Sequence, residues 1–329
     1  MHNASPRSLA NDARAKRVLV VVYSQTGQLS RIAEAITRPL ADATSLSVHT
    51  EVLRPQRAHP FPWPLLTFFD AFPESAHLTG EPLAPLSEAT RGEFDLVILC
   101  YQVWFLAPSL PVTAFMKSPD ARRLLGGKPV VTVIACRNMW MMAHRHMQRM
   151  LAAVGARHVD NVVLTDKAGT LTTLLTTPLW LLTGRKQPVA GLPPAGVTEA
   201  DITASRRFGH ALRDALAADQ EQGNAPMLAG LGAVDANPRL LVSERAGTRS
   251  FQLWGRLIRL AGGPGAAVRK PLLVLYALFL LAIIVTVVPL SLALQALLRP
   301  LLGPWLAAQK QAFEAPSGSG TERMAAYDE

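Results

Sequence analysis

Val18-Leu19-Val20-Val21-Val22-Tyr23 runs straight into Ser24-Gln25-Thr26-Gly27-Gln28. A short valine-dominated run without polar interruption is the pattern of a parallel strand buried on both faces. Behind the turn, Leu29, Ile32, Ala33 and Ile36 recur at helical spacing, with Pro39 near the helix end. A strand-to-helix turn of small hydroxyl residues and one glycine gathers backbone N–H groups and two side-chain donors at the positive end of a helix dipole. That is what a phosphate requires. The turn is not a Walker loop, because no Gly-Lys-Ser/Thr follows, and not a dinucleotide turn, because only one glycine is present.

The same alternation continues outward. Leu46 to Leu53 reads as a more exposed strand, and Asp95–Tyr101, Pro129–Cys136 and Asn161–Thr165 as further strands. Helical patterns cover Pro111–Met116, Met141–Val154 and Glu199–Ala218. Strands alternating with helices predict an α/β fold, a doubly wound five-stranded parallel sheet whose ligands gather at the C-terminal strand ends. The sheet domain is expected over residues 17–222, after a flexible leader at 1–16. Residues 58–85 and 168–194 look like inserts, which either cover a site or add packing. Residues 223–268 read as a linker in which Phe251–Leu260 forms an amphipathic helix, with Leu253, Trp254, Leu257 and Ile258 on one face beside Arg256 and Arg259.

Of the 329 residues 49% are hydrophobic, which excludes a disordered chain. The net charge of +9 is spread along the sequence rather than gathered in a run, so nucleic acid is not the expected partner. Cys100 and Cys136 sit in apolar runs as small hydrophobes and suggest no metal site. Pro271 to Leu298 contains no charged residue, and a helix crosses a bilayer with roughly 20 residues. The expectation is a C-terminal transmembrane helix within a membrane segment at 269–308, followed by a polar tail at 309–329; a buried core helix is the alternative. Arg256, Arg259, Arg269 and Lys270 precede the span against Arg299 and Lys310 after it, which predicts a single pass through the cytoplasmic membrane with the N-terminal domain in the cytoplasm. Pro289 leaves a kinked or re-entrant segment open, with Trp305 at the interface.

The first turn resembles that of the flavodoxin-like family, whose loop runs Ser/Thr-x-Thr-Gly-x-Thr and grips the phosphate of FMN. Ser24, Thr26 and Gly27 stand in place, while Leu29 replaces the last threonine and Ser30 follows it. The resemblance implies sheet order 2-1-3-4-5 and a cofactor site made of three loops. The first is Ser24, Gln25, Thr26, Gly27, Gln28 and Ser30. The second is Gln102, Val103, Trp104 and Phe105, where Trp104 stacks on the isoalloxazine ring or else caps the core. The third is Arg137, Asn138 and Met139, where Arg137 stabilises a reduced flavin or is only a surface charge. His144 and Arg137 are the candidate catalytic residues, although His144, like His146, also reads as a solvated histidine.

More specific stretches, HPFPWPLLTFFDAFPES (59–75), YQVWFLAPSLPVTAFMKS (101–118), ACRNMWMMA (135–143), DNVVLTD (160–166) and TTPLWLLTG (176–184), resemble bacterial proteins of the dialkylresorcinol-condensing enzyme family. That resemblance implies a ketosynthase or acyl-carrier protein as partner and a lipophilic substrate held near a lipid bilayer. It also implies flavin-dependent aromatisation of a dialkyl cyclohexanedione. An NAD(P)H-dependent quinone or flavin reductase is the rival enzyme, with NAD(P)H as second cofactor. A flavodoxin-type electron carrier and a flavin-free scaffold are the non-enzymatic readings.

Overall fold

The computed structural model describes residues 14–187, 189–297 and 299–327. Residues 1–13 of the expected leader lie outside them, and Lys16 already belongs to the first strand. Strands β1 (Lys16–Val22), β2 (Leu46–Val52) and β3 (Leu96–Trp104) are followed by β4 (Ala107–Pro108), β5 (Pro129–Cys136) and β6 (Arg157–Thr165). Five of them are parallel in the order β2-β1-β3-β5-β6. The sheet has six strands rather than the expected five, because Ala107 and Pro108 fold back antiparallel on the end of β3.

Valine-rich β1 and the apolar β3 and β5 lie at the centre because both their faces are covered by helices, so they need no polar alternation. Helix α1 (Gln28–Ala41) packs on α9 (Arg206–Ala217) and α8 (Glu199–Ala204); α4 (Leu110–Met116), α5 (Pro119–Leu125) and α6 (Met141–Val154) pack together as a second group. The predicted helix over 199–218 is thus broken at Ser205, whose hydroxyl donates back to the Ile202 carbonyl at 2.6 Å. The inserts contribute α2 (Leu65–Asp70) and α3 (Phe72–Ala76), and α7 (Thr170–Thr183).

The stretch expected as a linker is built into the domain. Met227, Leu228, Leu231, Ala233 and Val234 are buried in the main core, and the Val163 amide donates to the Ala233 carbonyl at 2.9 Å. After it comes α10 (Leu240–Leu260), a longer helix than the predicted one. The expected polar tail is also docked. Helix α12 (Arg299–Glu314) brings Phe313 into the main core, Glu314 accepts from the Ala236 amide at 3.1 Å, and Ser317 donates to Asp160 at 2.7 Å.

A second apolar cluster joins the first insert to the C-terminal helices, with Phe69 and Phe72 against Ile258, Leu273 and Tyr276. Phe72 and Tyr276 stack with ring centres 4.2 Å apart. Helix α11 (Lys270–Leu297) rises from this cluster. Among the described residues one helix, Ala267–Thr286, is long and apolar enough to cross a membrane; its mean hydropathy is 2.2 and 17% of it is buried. The Pro289 side chain, expected to bend this helix, lies outside the described residues.

Candidate functional site

Helices leave β1 and β3 in opposite directions along the sheet, and the crevice at their C-terminal ends is where ligands bind in open α/β sheets. Ser24 to Gly27 form the turn on its β1 side. Gly27 caps α1 with φ of +77°, and no atom lies within 4 Å of where a Cβ would stand. Backbone conformation, not space, therefore selects glycine here. Gly27 has no side chain to cap the helix, so the Leu29 and Ser30 amides of its first turn lack intrahelical acceptors. The Ser24 hydroxyl is buried and makes no hydrogen bond. Gln102, at the end of β3, accepts from the Gln25 amide at 3.2 Å and so fixes the turn. Thr26 lines the crevice and accepts a long bond from the Gln28 amide at 3.4 Å.

Two first-loop residues do other work than expected. Both amide atoms of Gln28 are taken by Val197, whose N–H donates at 3.0 Å and whose carbonyl accepts at 2.9 Å, so Gln28 holds the loop before α8. Ser30 is exposed, one residue past Leu29, whose side chain fills the core beneath the crevice. The expected hydroxyl is therefore lost, not displaced.

The crevice narrows to a cavity of 180 Å³, walled by Val103, Trp104, Phe105 and Arg137 and covered by both inserts. Trp63 and Phe68 close it from the first, Thr177, Trp180 and Leu181 from the second, and the Trp63 amide donates to the Leu181 carbonyl at 2.8 Å. Small-molecule sites typically hold at least ~300 Å³. With the side chains as they stand, the cavity is therefore smaller than a tricyclic ring needs.

Trp104 lines the cavity and packs edge-on against His59 (4.9 Å) and Trp63 (5.5 Å). The next two residues, Phe105 and Leu106, have φ of +49° and +62°, a hairpin turn normally reserved for Asn and Gly. Apolar packing of Phe105 on Phe68 and Phe72 holds this strained turn in place. In the third loop Arg137 reaches the cavity. Its hydrogen-bond partner is the Met139 sulfur at 3.7 Å, and burial pulls its pKa down, opposed by Cys136 and Asp166. Asp166 spends its oxygens on the Ala168 and Gly196 amides. Asn138 carries a buried carbonyl oxygen without partner; neither it nor Met139 lines the cavity.

His144 is neither solvated nor at the cavity. It lies fully buried inside α6 beside Trp140 and His158, with both ring nitrogens unpartnered, and burial pushes its pKa down to about 3. A neutral imidazole walled off from the crevice is no proton donor there. The sequence reading passed over His59 in the first insert, whose Nε2 lies 2.8 Å from Glu81 and whose ring packs on the cavity's Trp104 wall. His59 itself does not line the cavity; it backs the aromatic side chains that do. Its pairing with Glu81 was hidden because the two residues stand 22 positions apart.

The sheet order is flavodoxin-like. No family model and no curated protein matches the chain. Solved structures similar to it include a flavoprotein in complex with FMN from Lactobacillus acidophilus NCFM, at 13% identity over 45% of this chain and 93% of that one, with TM-score 0.37. A flavodoxin from the domain Archaea is 12% identical over 61% and 99%, with TM-score 0.33. A flavone reductase is 8% identical over 65% and 67%, with TM-score 0.36. Likenesses this distant carry no weight for chemistry, which has to rest on the strand order and the loops themselves.

Proposed function

We propose that this chain is a membrane-anchored, FMN-dependent oxidoreductase acting on a lipophilic cyclic ketone or quinone-like substrate, and that its reaction is the aromatisation of a dialkyl cyclohexanedione. The observation that carries the flavin reading is the buried, unpartnered Ser24 hydroxyl beside the glycine-capped start of α1, at the strand-order switch point. Buried hydroxyls normally find partners, and a phosphate oxygen would be one. The Arg137 guanidinium, whose hydrogen bond goes only to the Met139 sulfur, supplies a second polar group in the cavity lining.

When bound, FMN supplies a two-electron acceptor for a hydride from a ring carbon of the substrate. The chain's residues supply the rest. Ser24, Thr26 and the first amides of α1 would hold the phosphate, and Trp104 and Val103 would line the ring's place. Arg137 places a positive charge where an enolate oxygen develops on the dione. His59, held by Glu81, packs behind Trp104 and Trp63 and would position that wall. Trp63, Phe68 and Trp180 exclude water. Phe68 also packs on Phe69 and Phe105, whose cluster continues into α10 and α11. Alkyl chains on the substrate therefore meet one apolar surface from the helices to the cavity.

Purification in mild detergent followed by an absorption spectrum tests the flavin reading: a yellow protein, or one that FMN turns yellow, is expected. Colourless protein that FMN cannot reconstitute overturns it. With FMN in place, a dialkyl cyclohexanedione and a chemical electron acceptor should yield the resorcinol. Rapid bleaching by NAD(P)H with quinone turnover, and no reaction with the dione, would assign the reductase reaction instead.

A further inference from the structure

We propose that the C-terminal helices engage an anionic bilayer from one side only, with α11 and α12 forming a re-entrant hairpin that returns the chain to the face it left and α10 lying flat among the headgroups. This rests on the membrane reading above and refines its topology.

Both feet of the hairpin stand on the same body. At the outgoing foot, Arg269 is fully buried against Glu74 and Asp70, and Leu273 and Tyr276 are buried in the insert cluster. At the returning foot, Trp305 packs on the main core, Lys310 pairs with Asp235 at 3.0 Å, Phe313 is buried against Trp140 at the start of α6, and Ser317 is buried beside β6. A single crossing would put everything after α11 on the far side of a hydrocarbon layer ~30 Å thick. Here those residues complete the core of the domain from which α11 departed.

The lengths agree. From Tyr276 to the end of α11 the helix extends roughly 30 Å, whereas α12 regains the domain at Trp305 within roughly 10 Å of its start. So short a return leg keeps the far end of α11 close to the domain, which tilts the helix across the surface instead of standing it along the membrane normal.

Helix α10 carries the matching contact face. At about 100° per residue, Leu253, Leu257 and Leu260 share one stripe, and they are 71%, 46% and 79% exposed. Gly255 and Ile258, on the other side, are buried against α3 and its neighbours. Alongside the apolar stripe stand Arg249 and Arg256, both exposed and neither with an ion-pair partner among the described residues, whereas Arg245 on the same stripe turns to Gln309 and Trp305 of α12. On α11, Leu278 and Val285 share one stripe and are 61% and 65% exposed. An exposed apolar stripe edged by unneutralised arginines fits anionic headgroups over acyl chains, not a second protein surface.

The test uses the full chain in sealed membrane vesicles of both orientations, with an impermeant maleimide and two single substitutions, Asp42→Cys on the exposed end of α1 and Ala325→Cys after the hairpin. The unsubstituted chain sets the background from Cys100 and Cys136, and detergent-solubilised samples show full labelling. Labelling of both positions from the same side is expected. Labelling from opposite sides overturns the hairpin while leaving membrane attachment standing; protein that stays in the supernatant, as a monomer or a dimer covering its own apolar face, overturns both. In flotation with purified protein, Arg249→Glu with Arg256→Glu should weaken binding to phosphatidylglycerol-containing vesicles at least tenfold. Unchanged flotation overturns the anionic contact.

Discussion

Arg269 donates to Glu74 at 2.9 Å with none of its own side chain exposed, so a single guanidinium ties the root of the apolar helix to the insert that walls the candidate site. Asp70 lies 3.3 Å from the same group. Removing one member of a buried charge pair strands its partner. Arg269→Met should cost about 3–5 kcal/mol, read as a lowered melting temperature in detergent. Replacing Arg269, Glu74 and Asp70 together by apolar residues should recover most of that loss. A triple variant no better than the single one would show that the charges themselves are needed.

Ser24 and Gln28 separate ligand binding from folding. Ser24→Ala removes a hydroxyl that no protein group uses, so stability should stay within ~0.5 kcal/mol of the parent. FMN affinity should fall roughly ten- to hundred-fold, the worth of a hydrogen bond to a charged group of about 1.5–3 kcal/mol. Gln28→Ala should do the reverse, lowering stability through the two lost Val197 bonds.

Arg137→Gln removes a cavity charge without opening the core. If that charge stabilises the reduced cofactor, the two-electron midpoint potential should drop by on the order of 30 mV, about 1.4 kcal/mol. A spectroelectrochemical titration showing no change would leave Arg137 a role towards substrate alone.

His59→Gln keeps a polar group against Glu81 but removes the ring packed on Trp104. The bound-flavin spectrum should shift and turnover fall by up to about tenfold, the worth of an aromatic contact of about 0.5–1.5 kcal/mol. A loss of roughly 10²-fold or more with an unaltered spectrum would make His59 a proton acceptor instead.

His144 sets a pH dependence of stability. Its pKa is pushed down to about 3 by burial, with His158 adding to the effect, against an unfolded value of 6.5. The folded pKa lies below the unfolded one, so the stabilisation is complete above pH 6.5 and is lost as the pH falls towards 3. At about 1.4 kcal/mol per pH unit, roughly 2 kcal/mol has gone by pH 5. His144→Leu should therefore outlast the parent in urea at pH 5 and match it within ~1 kcal/mol at pH 8. A parent curve that parallels the variant at both values would contradict the assignment.

The centre of the fold was legible because Val18–Val22, Leu96–Tyr101 and Pro129–Cys136 are buried on both faces and carry no competing pattern. The first half of β6 was not, since His158 and Asp160 interrupt the apolar run. Asp160 is tolerated there only because Met227, Leu228 and Ser317, all distant in sequence, donate to it. The same long-range pairing explains why residues 227–236 read as a linker: Gly230 and Gly232 punctuate them and Pro226 and Pro238 flank them, while the partners that bury Leu231 and Val234 lie elsewhere. At the site, backbone geometry was readable from Gly27, but the fates of Gln28, Ser30 and His144 depended on which way each side chain turns on its helix. The His59–Glu81 pair depended on a contact no local spacing announces.

The amides that β6 presents outward have consequences beyond the core. Val163 is satisfied by Ala233, and Asn161 by the Ser317 hydroxyl at 2.8 Å, so the open margin of the sheet is sealed by irregular chain from either flank of the apolar helices. Cutting the protein before α11 to obtain a soluble fragment would unseal half of that margin. Such a fragment should recruit strands from neighbouring molecules and precipitate, whereas excising only the hairpin and rejoining α10 to the segment from Trp305 onward should leave it dispersed.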